Sequence, residues 1–257
     1  MTDSIPTELQ EQIQAIQALP GRVSLYFENL KNGVHAQYNS TLPTVAASVI
    51  KIPVMVEFFY QVSEGKLDIK EFIEIHSFDK KPSCGALTYM HDGLKVTLLD
   101  LCTLMIILSD NTATNLLIRR LGMDNINRRM RLLGLVGTEV SRLLFDGEAQ
   151  SRGLENHVTA ADIARLLRLM YENRLPASDT MLQILKNQRL NGKMPFFLHG
   201  TSIAHKTGED DGITHDVGIV YTPEPFIACF LSEETDVPRF ERCIQDTALA
   251  MAKCCKL

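Results

Sequence analysis

The chain has 257 residues, of which 45% are hydrophobic and 22% charged, with a formal net charge of −5 at pH 7. That is enough chain for one folded unit with a large core and a preformed cleft. A mildly acidic balance without any Lys/Arg block argues against a nucleic-acid or anionic-membrane partner, since either needs a basic face.

The first residues, Met1-Thr2-Asp3-Ser4-Ile5-Pro6, are polar and lack the basic and apolar regions of a secretory signal. The most apolar stretch, 96–108, is broken by Asp100 and is too short to span a bilayer. The expectation is a cytoplasmic monomer acting on a small molecule, or an exported protein whose signal has been removed. Six cysteines (Cys84, Cys102, Cys229, Cys243, Cys254 and Cys255) are not needed as staples in a chain with this much core, and are expected as reduced thiols.

In chain order, Leu9, Ile13, Ile16 and Leu19 fall at helical spacing and predict a helix over 7–19, ended by Pro20-Gly21. Alternation at Val23, Leu25 and Phe27 predicts a strand over 22–28. Lys31-Asn32-Gly33 reads as a hairpin turn into a return strand over 34–38. The middle of the chain is helical, over 48–63, 97–108, 112–122, 124–134, 159–173 and 178–188, with Thr159 and Ser178 as helix caps. Strand patterns resume over 203–207, 214–221 and 226–232, and a last helix covers 238–252. The pattern is α+β: an antiparallel sheet built from both chain ends, flanked by terminal helices, with an inserted all-helical subdomain. One domain spans 1–257, its sheet part formed by about 1–47 and 191–257 and its helical part by about 48–190. The cleft between the two is the natural place for a site.

Three short motifs carry chemistry. Ser-x-x-Lys occurs three times, at Ser48–Lys51, Ser63–Lys66 and Ser77–Lys80. The second lies at a helix end and the third in a charged loop, so both read as solvated surface. Ser48 instead opens an apolar helix, where positions i and i+3 put its hydroxyl and the Lys51 amine on one face. Flanking Ile50 and Ile52 would bury that amine and lower its pKa toward that of a usable base. Ser109-Asp110-Asn111 ends the apolar run Leu104–Leu108, where a helix leaves the core. Lys206-Thr207-Gly208 closes an alternating strand, and offers a cation, a hydroxyl and a residue that lets backbone approach closely. Taken singly, each motif is as readily a helix cap or a strand end; together and in this order they are not.

This ordered set is the recognised signature of class A β-lactamases and penicillin-binding proteins, and the chain resembles the class A β-lactamase family from about residue 22 to its end. The likeness is strongest over 100–122, through Leu101-Cys102-Thr103 and Ser109-Asp110-Asn111-Thr112-Ala113-Thr114-Asn115. The resemblance implies β-lactam hydrolysis without a cofactor, and with it β-lactam catabolism and antibiotic resistance. Ser48 would be the acylated nucleophile, Lys51 its proton partner and Ser109 the relay to the leaving nitrogen. Asn111 would hold the substrate amide, Lys206 and Thr207 its carboxylate, and the backbone N–H groups of Ser48 and Glu209 the oxyanion.

The family places a glutamate on a loop after the second motif, followed four residues later by an asparagine. Here the best correspondence is Asp146 with Gln150, and Glu148 is a rival base for the deacylating water. If neither reaches the water, the acyl-enzyme would persist, as in a penicillin-binding protein or slow esterase. His215, placed across a hairpin from Lys206, would be either a second cation for the substrate carboxylate or an ordinary strand histidine. The other histidines lack metal-ligand spacing, and without a Gly-x-Ser-x-Gly elbow His205 and Asp110 do not make a Ser-His-Asp arrangement. The alternatives to a β-lactamase are a D,D-peptidase or esterase with the same nucleophile, and a penicillin-binding sensor that does not turn over.

Overall fold

The computed structural model describes residues 7–257, so the polar N-terminal hexapeptide lies outside it. The chain starts with helix α1 (Thr7–Gln17), then a hairpin of β1 (Arg22–Asn29) and β2 (His35–Tyr38), and a two-residue strand β3 (Thr44–Val45). A short 3-10 turn, Ala47–Ile50, leads into α2 (Lys51–Ser63). A small ribbon of β4 (Phe72–Ile75) and β5 (Leu94–Thr97) precedes α3 (Leu98–Ile107), α4 (Asn111–Leu121) and α5 (Met123–Leu132). After the short α6 (Gly147–Ser151) and β6 (His157–Val158) come α7 (Ala160–Tyr171) and α8 (Ser178–Lys186). The chain closes with β7 (Ile203–Asp210), β8 (Ile213–Val220), β9 (Phe226–Glu233) and α9 (Val237–Cys254).

The main sheet runs β2-β1-β9-β8-β7, every neighbouring pair antiparallel, so strands from both ends of the chain meet in its centre at β1 and β9. Its inner strands β1, β9 and β8 are buried on both faces. Along β9, Phe226, Ala228 and Phe230 pack with α1 and α9, while Ile227, Cys229 and Leu231 pack with the helical block on the other face. The period-two alternation of a strand thus sorts one sequence into two cores. The helical block is the expected insertion, and its caps are local: Thr97 and Asp100 cap α3 reciprocally, and Thr159 Oγ1 accepts from Asp162 N at the start of α7.

Some expectations need correcting. Ser178 does not cap α8; Ala177 stands there in a left-handed conformation, and Ser178 Oγ donates back to the Leu175 carbonyl. Ser48 sits in the 3-10 turn rather than on the first turn of α2. Three pieces escaped the sequence: the β3–β6 pair, the β4–β5 ribbon and α6, all too short for a period to show. No helix among the described residues is long and apolar enough to cross a membrane, and all six cysteines are free thiols.

Candidate active site

A cleft of about 470 Å³ opens between the free edge of β7 and the helical block. The 3-10 turn carries Ser48 into it, immediately after Ala47, which is held at φ 41°. The α3–α4 junction supplies Ser109, itself at φ 54°, and Asn111. Two non-glycine residues in left-handed backbone, both beside groups lining one cleft, are strain of the kind found at functional sites.

Lys51 is the hub. It is fully buried, and its Nζ lies 2.7 Å from Ser48 Oγ, 2.9 Å from Ser109 Oγ, 2.8 Å from the Ser109 carbonyl and 2.9 Å from Asn111 Oδ1. Burial drives its pKa well below the usual lysine range, and the nearby Lys206 ammonium adds to the effect against the opposing pull of Cys84 and Asp110. A neutral amine at this distance can take the proton of the Ser48 hydroxyl. Lys206 is also fully buried; its Nζ reaches Ser109 Oγ at 3.1 Å and the Thr207 carbonyl at 2.8 Å. Burial and the Lys193 charge bring it down to about 7. Ser109 Oγ therefore bridges two lysines, as a proton relay would require.

Asp110, the middle residue of its motif, faces away. Its carboxylate caps α4 at Ala113 N and accepts from Ala86 N and Leu87 N, fastening the 83–87 loop over the site. That loop brings Cys84 into the cleft wall, whereas Tyr89, an aromatic candidate for that wall, is exposed outside it. Gly208 is required by close approach: a Cβ there would stand 2.9 Å from the His215 ring and 3.3 Å from Ser48 N. Thr207, Gly208 and Glu209 all line the cleft.

Two site expectations are overturned, and of the two readings of His215 the cationic one fails. Asp146 does not reach the cleft; its Oδ1 accepts from Ala149 N and caps α6. Glu148 points to solvent, its side chain 84% exposed and paired with Arg152. His215 pairs with Gly208 rather than Lys206, because a two-residue connection sets the β7–β8 register. Its ring is fully buried, with Nε2 donating to the Val45 carbonyl and Nδ1 accepting from Ser232 N. Both nitrogens are used by a neutral ring, burial holds the pKa down at about 4, and no cation is available to a substrate.

The cleft wall from the 142–156 segment is instead built by Arg142, Leu144, Phe145, Gln150, Glu155 and Asn156. Leu144 is fixed at both backbone ends by Asn115, whose Nδ2 donates to its carbonyl and whose Oδ1 accepts from its N–H, each at 2.8 Å. Asn156 does the same for the start of the segment, accepting from Ser141 N and Arg142 N and donating to the Arg142 carbonyl. Arg142 in turn holds Glu155. Sequence reasoning missed this clamp. Its one usable trace was Asn115, four residues after Asn111 on the same helical face. The other Ser-x-x-Lys pairs are surface features, with Ser63 capping onto the Tyr60 carbonyl and Lys80 reaching the Met90 carbonyl. His205 bonds Asp216 and Asn191 and does not meet Ser48. Among the described residues no three His, Cys, Asp or Glu side chains gather as a metal site requires. A hollow of similar size lies between α1 and β2, lined by Ile13, Gln14 and His35, with no serine or cysteine among its lining residues.

The sheet, the helical insertion and the two lysines sharing Ser109 define a serine enzyme of the penicillin-recognising type. The chain belongs to the β-lactamase enzyme family, whose model matches residues 8–253. A β-lactamase from Sphaerobacter thermophilus is 29% identical at a TM-score of 0.89, covering 96% of this chain and 97% of that one. PBP-A is 28% identical at a TM-score of 0.87, covering 97% and 96%. A mutant of PBP-A, solved as an acyl-enzyme complex with penicillin G, is 28% identical at 0.86, covering 96% and 95%. A search of curated protein sequences finds no significant match.

Proposed function

We propose that the protein opens β-lactam amides, and acyl-peptide or ester bonds of the same shape, through an acyl-enzyme at Ser48, and that loss of the acyl group is its slow step. The observation that carries the reading is Lys51, a buried amine of lowered pKa 2.7 Å from Ser48 Oγ. Lys51 takes the hydroxyl proton as Ser48 Oγ attacks the carbonyl carbon. The backbone N–H groups of Ser48 and Glu209 receive the developing oxyanion. The proton then passes from Lys51 through Ser109 Oγ to the leaving nitrogen, and the C–N bond breaks. Lys206 and Thr207 face the substrate carboxylate.

Deacylation is slow on this reading because of what lines the 142–156 wall. Leu144 presents an aliphatic chain, and the one carboxylate of that segment in the cleft, Glu155, is tied to Arg142. The similarity to PBP-A, whose mutant was solved as a penicillin G acyl-enzyme, points the same way. The test mixes the protein with excess chromogenic cephalosporin and follows colour and intact mass together, with Ser48→Ala as control. A stoichiometric adduct is expected, with a burst of colour as the ring opens on acylation and slow colour thereafter. Fast turnover without a detectable adduct would overturn slow deacylation, and absence of both would overturn the nucleophile.

A further inference from the structure

Lys193 is a buried cation that the reaction above does not use. Its side chain is 4% exposed, in the segment that precedes the short 3-10 helix Met194–Phe197. Nζ donates to the carbonyls of Gly208 at 3.3 Å and His215 at 3.2 Å. It also forms an ion pair with Glu209 Oε1 at 3.0 Å, and Glu241 lies at 3.9 Å. An ammonium group taken out of water is costly unless its partners compensate it. Three of these four partners belong to the ladder at the Gly208–Glu209 peptide.

The geometry of that peptide follows from the ladder. Thr214 N donates to Ser232 Oγ and the Thr214 carbonyl accepts from it, so the polar groups of Thr214 face β9. Successive residues of a strand point their N–H and C=O to opposite sides. The polar groups of His215 therefore face β7, and those of its partner Gly208 face β8. Glu209 N–H consequently points the other way, to the free edge of β7, where the cleft and Ser48 lie. In a trans peptide the Gly208 carbonyl and the Glu209 N–H are opposite ends of one rigid dipole.

We propose that Lys193 is a positioning residue for acylation, which aims and polarises the Gly208–Glu209 peptide so that the Glu209 N–H is a strong donor to the oxyanion. A charge-assisted bond at the carbonyl end strengthens the N–H at the other end, and the Glu209 side chain, gripped by the same ammonium, keeps the plane from rotating. The inference rests on Ser48 acylation as proposed above.

The experiment separates binding from chemistry. Chromogenic cephalosporin acylation is followed by stopped flow across pH 6–9 for the wild type, Lys193→Met, Lys193→Gln and Lys193→Arg, giving the non-covalent dissociation constant and the first-order acylation rate. Affinity for a boronic acid, which forms a tetrahedral adduct on Ser48 with an oxygen in the same place, is measured alongside. Losing one oxyanion donor outright costs about 100–1,000-fold, so weakening one predicts a rate about 10- to 100-fold lower in Lys193→Met at every pH. Boronic acid affinity falls in parallel and the non-covalent constant stays within about two-fold. Lys193→Arg recovers most of the rate. If the methionine variant does not fold, Lys193→Gln, which keeps a donor without charge, carries the same prediction at the lower end. An unchanged rate in a folded variant overturns the proposal, as does a loss confined to the binding constant. A profile that merely slides along the pH axis and regains its maximum also overturns it, since that assigns the effect to Lys206, whose titratable neighbours are Lys193, Asp216, Cys84, Glu209 and Lys51. A wild type that takes up no acyl group at all rejects the Ser48 assignment itself, and this inference with it.

Discussion

Lys51 and Lys206 are two lysines with no exposure to solvent, close enough for the Lys206 charge to disfavour that of Lys51. Such a pair is kept for chemistry, because it costs stability. Lys206 sits at about 7, against about 10.4 in an unfolded chain. Between those values the unfolded state holds a proton that the folded state lacks, so stability rises with pH across that window. Below about 7 both states are protonated and the folded one bears the whole cost of the buried charge. Lys206→Met removes this dependence: its Tm exceeds the wild-type value at pH 7, and the gap narrows toward pH 10. Thermal unfolding at a series of pH values measures it, and parallel curves for the two proteins would refute the buried-charge account. Lys51 is shifted in the same direction, so acylation, which needs its neutral form, rises with pH at values well below the ordinary lysine pKa. Gly208 acts through space alone. Gly208→Ala puts a methyl 2.9 Å from the His215 ring and 3.3 Å from Ser48 N, and acylation measured by intact mass is expected to slow by at least about 100-fold, the scale of losing one oxyanion donor.

At the scale of elements, the 142–156 segment has little regular structure of its own and is held by side-chain amides. Asn115 and Asn156 each satisfy backbone groups that have no ladder to join. Asn115→Ala leaves the Leu144 N–H and carbonyl unpaired, at about 1–3 kcal/mol for such groups, which urea unfolding would read directly. Leu144→Glu tests the wall itself. It places a carboxylate on a backbone fixed by Asn115 and lining the cleft that holds Ser48, and the adduct lifetime is expected to shorten by at least about 10-fold, within the range of general-base catalysis; an unchanged lifetime would mean that water is activated elsewhere. This is also where the sequence was least legible. Ser48–Lys51, Ser109–Asn111 and Lys206–Gly208 each lie within three or four residues, so local backbone alone keeps the members of each motif close even where a 3-10 turn or a helix junction falls between them. The loop carboxylate depended on which of Leu144, Asp146 and Glu148 turns inward, and that is decided by amides 29 and 14 positions away in sequence. Counting from the motif put Asp146 inward; capping of α6 turned it out. The cationic reading of His215 failed because its register turns on a two-residue connection rather than one centred on Asp211, and its burial depends on β9 and on Val45.

At the scale of the whole molecule, the sheet separates two cores that contribute differently. One, with Leu9, Phe27, Phe230 and Phe240, lies under α1 and α9. The other, with Met55, Leu101, Met105 and Leu117, fills the helical block and lies behind the α3–α4 junction that carries Ser109. Both are built from fully buried side chains, so truncation in either costs similar stability: about 3–5 kcal/mol for Phe240→Ala and about 2–5 kcal/mol for Met105→Ala. Their effects on chemistry should differ. A cavity beneath α9 is separated from the cleft by the sheet, whose inter-strand bonds hold β7 in register, so the acylation rate of folded Phe240→Ala stays within about two-fold of wild type, as expected for sites that share no partners. A cavity at Met105 lies in the helix that leads to Ser109, where a displacement of about 1 Å is enough to cost 100-fold. Folded fraction from urea unfolding, with acylation burst rate measured on the same samples, separates the two. Equal acylation rates in two equally destabilised variants would show that the α3–α4 junction is held by the Asp110 and Lys51 hydrogen bonds alone, with no help from the core behind it.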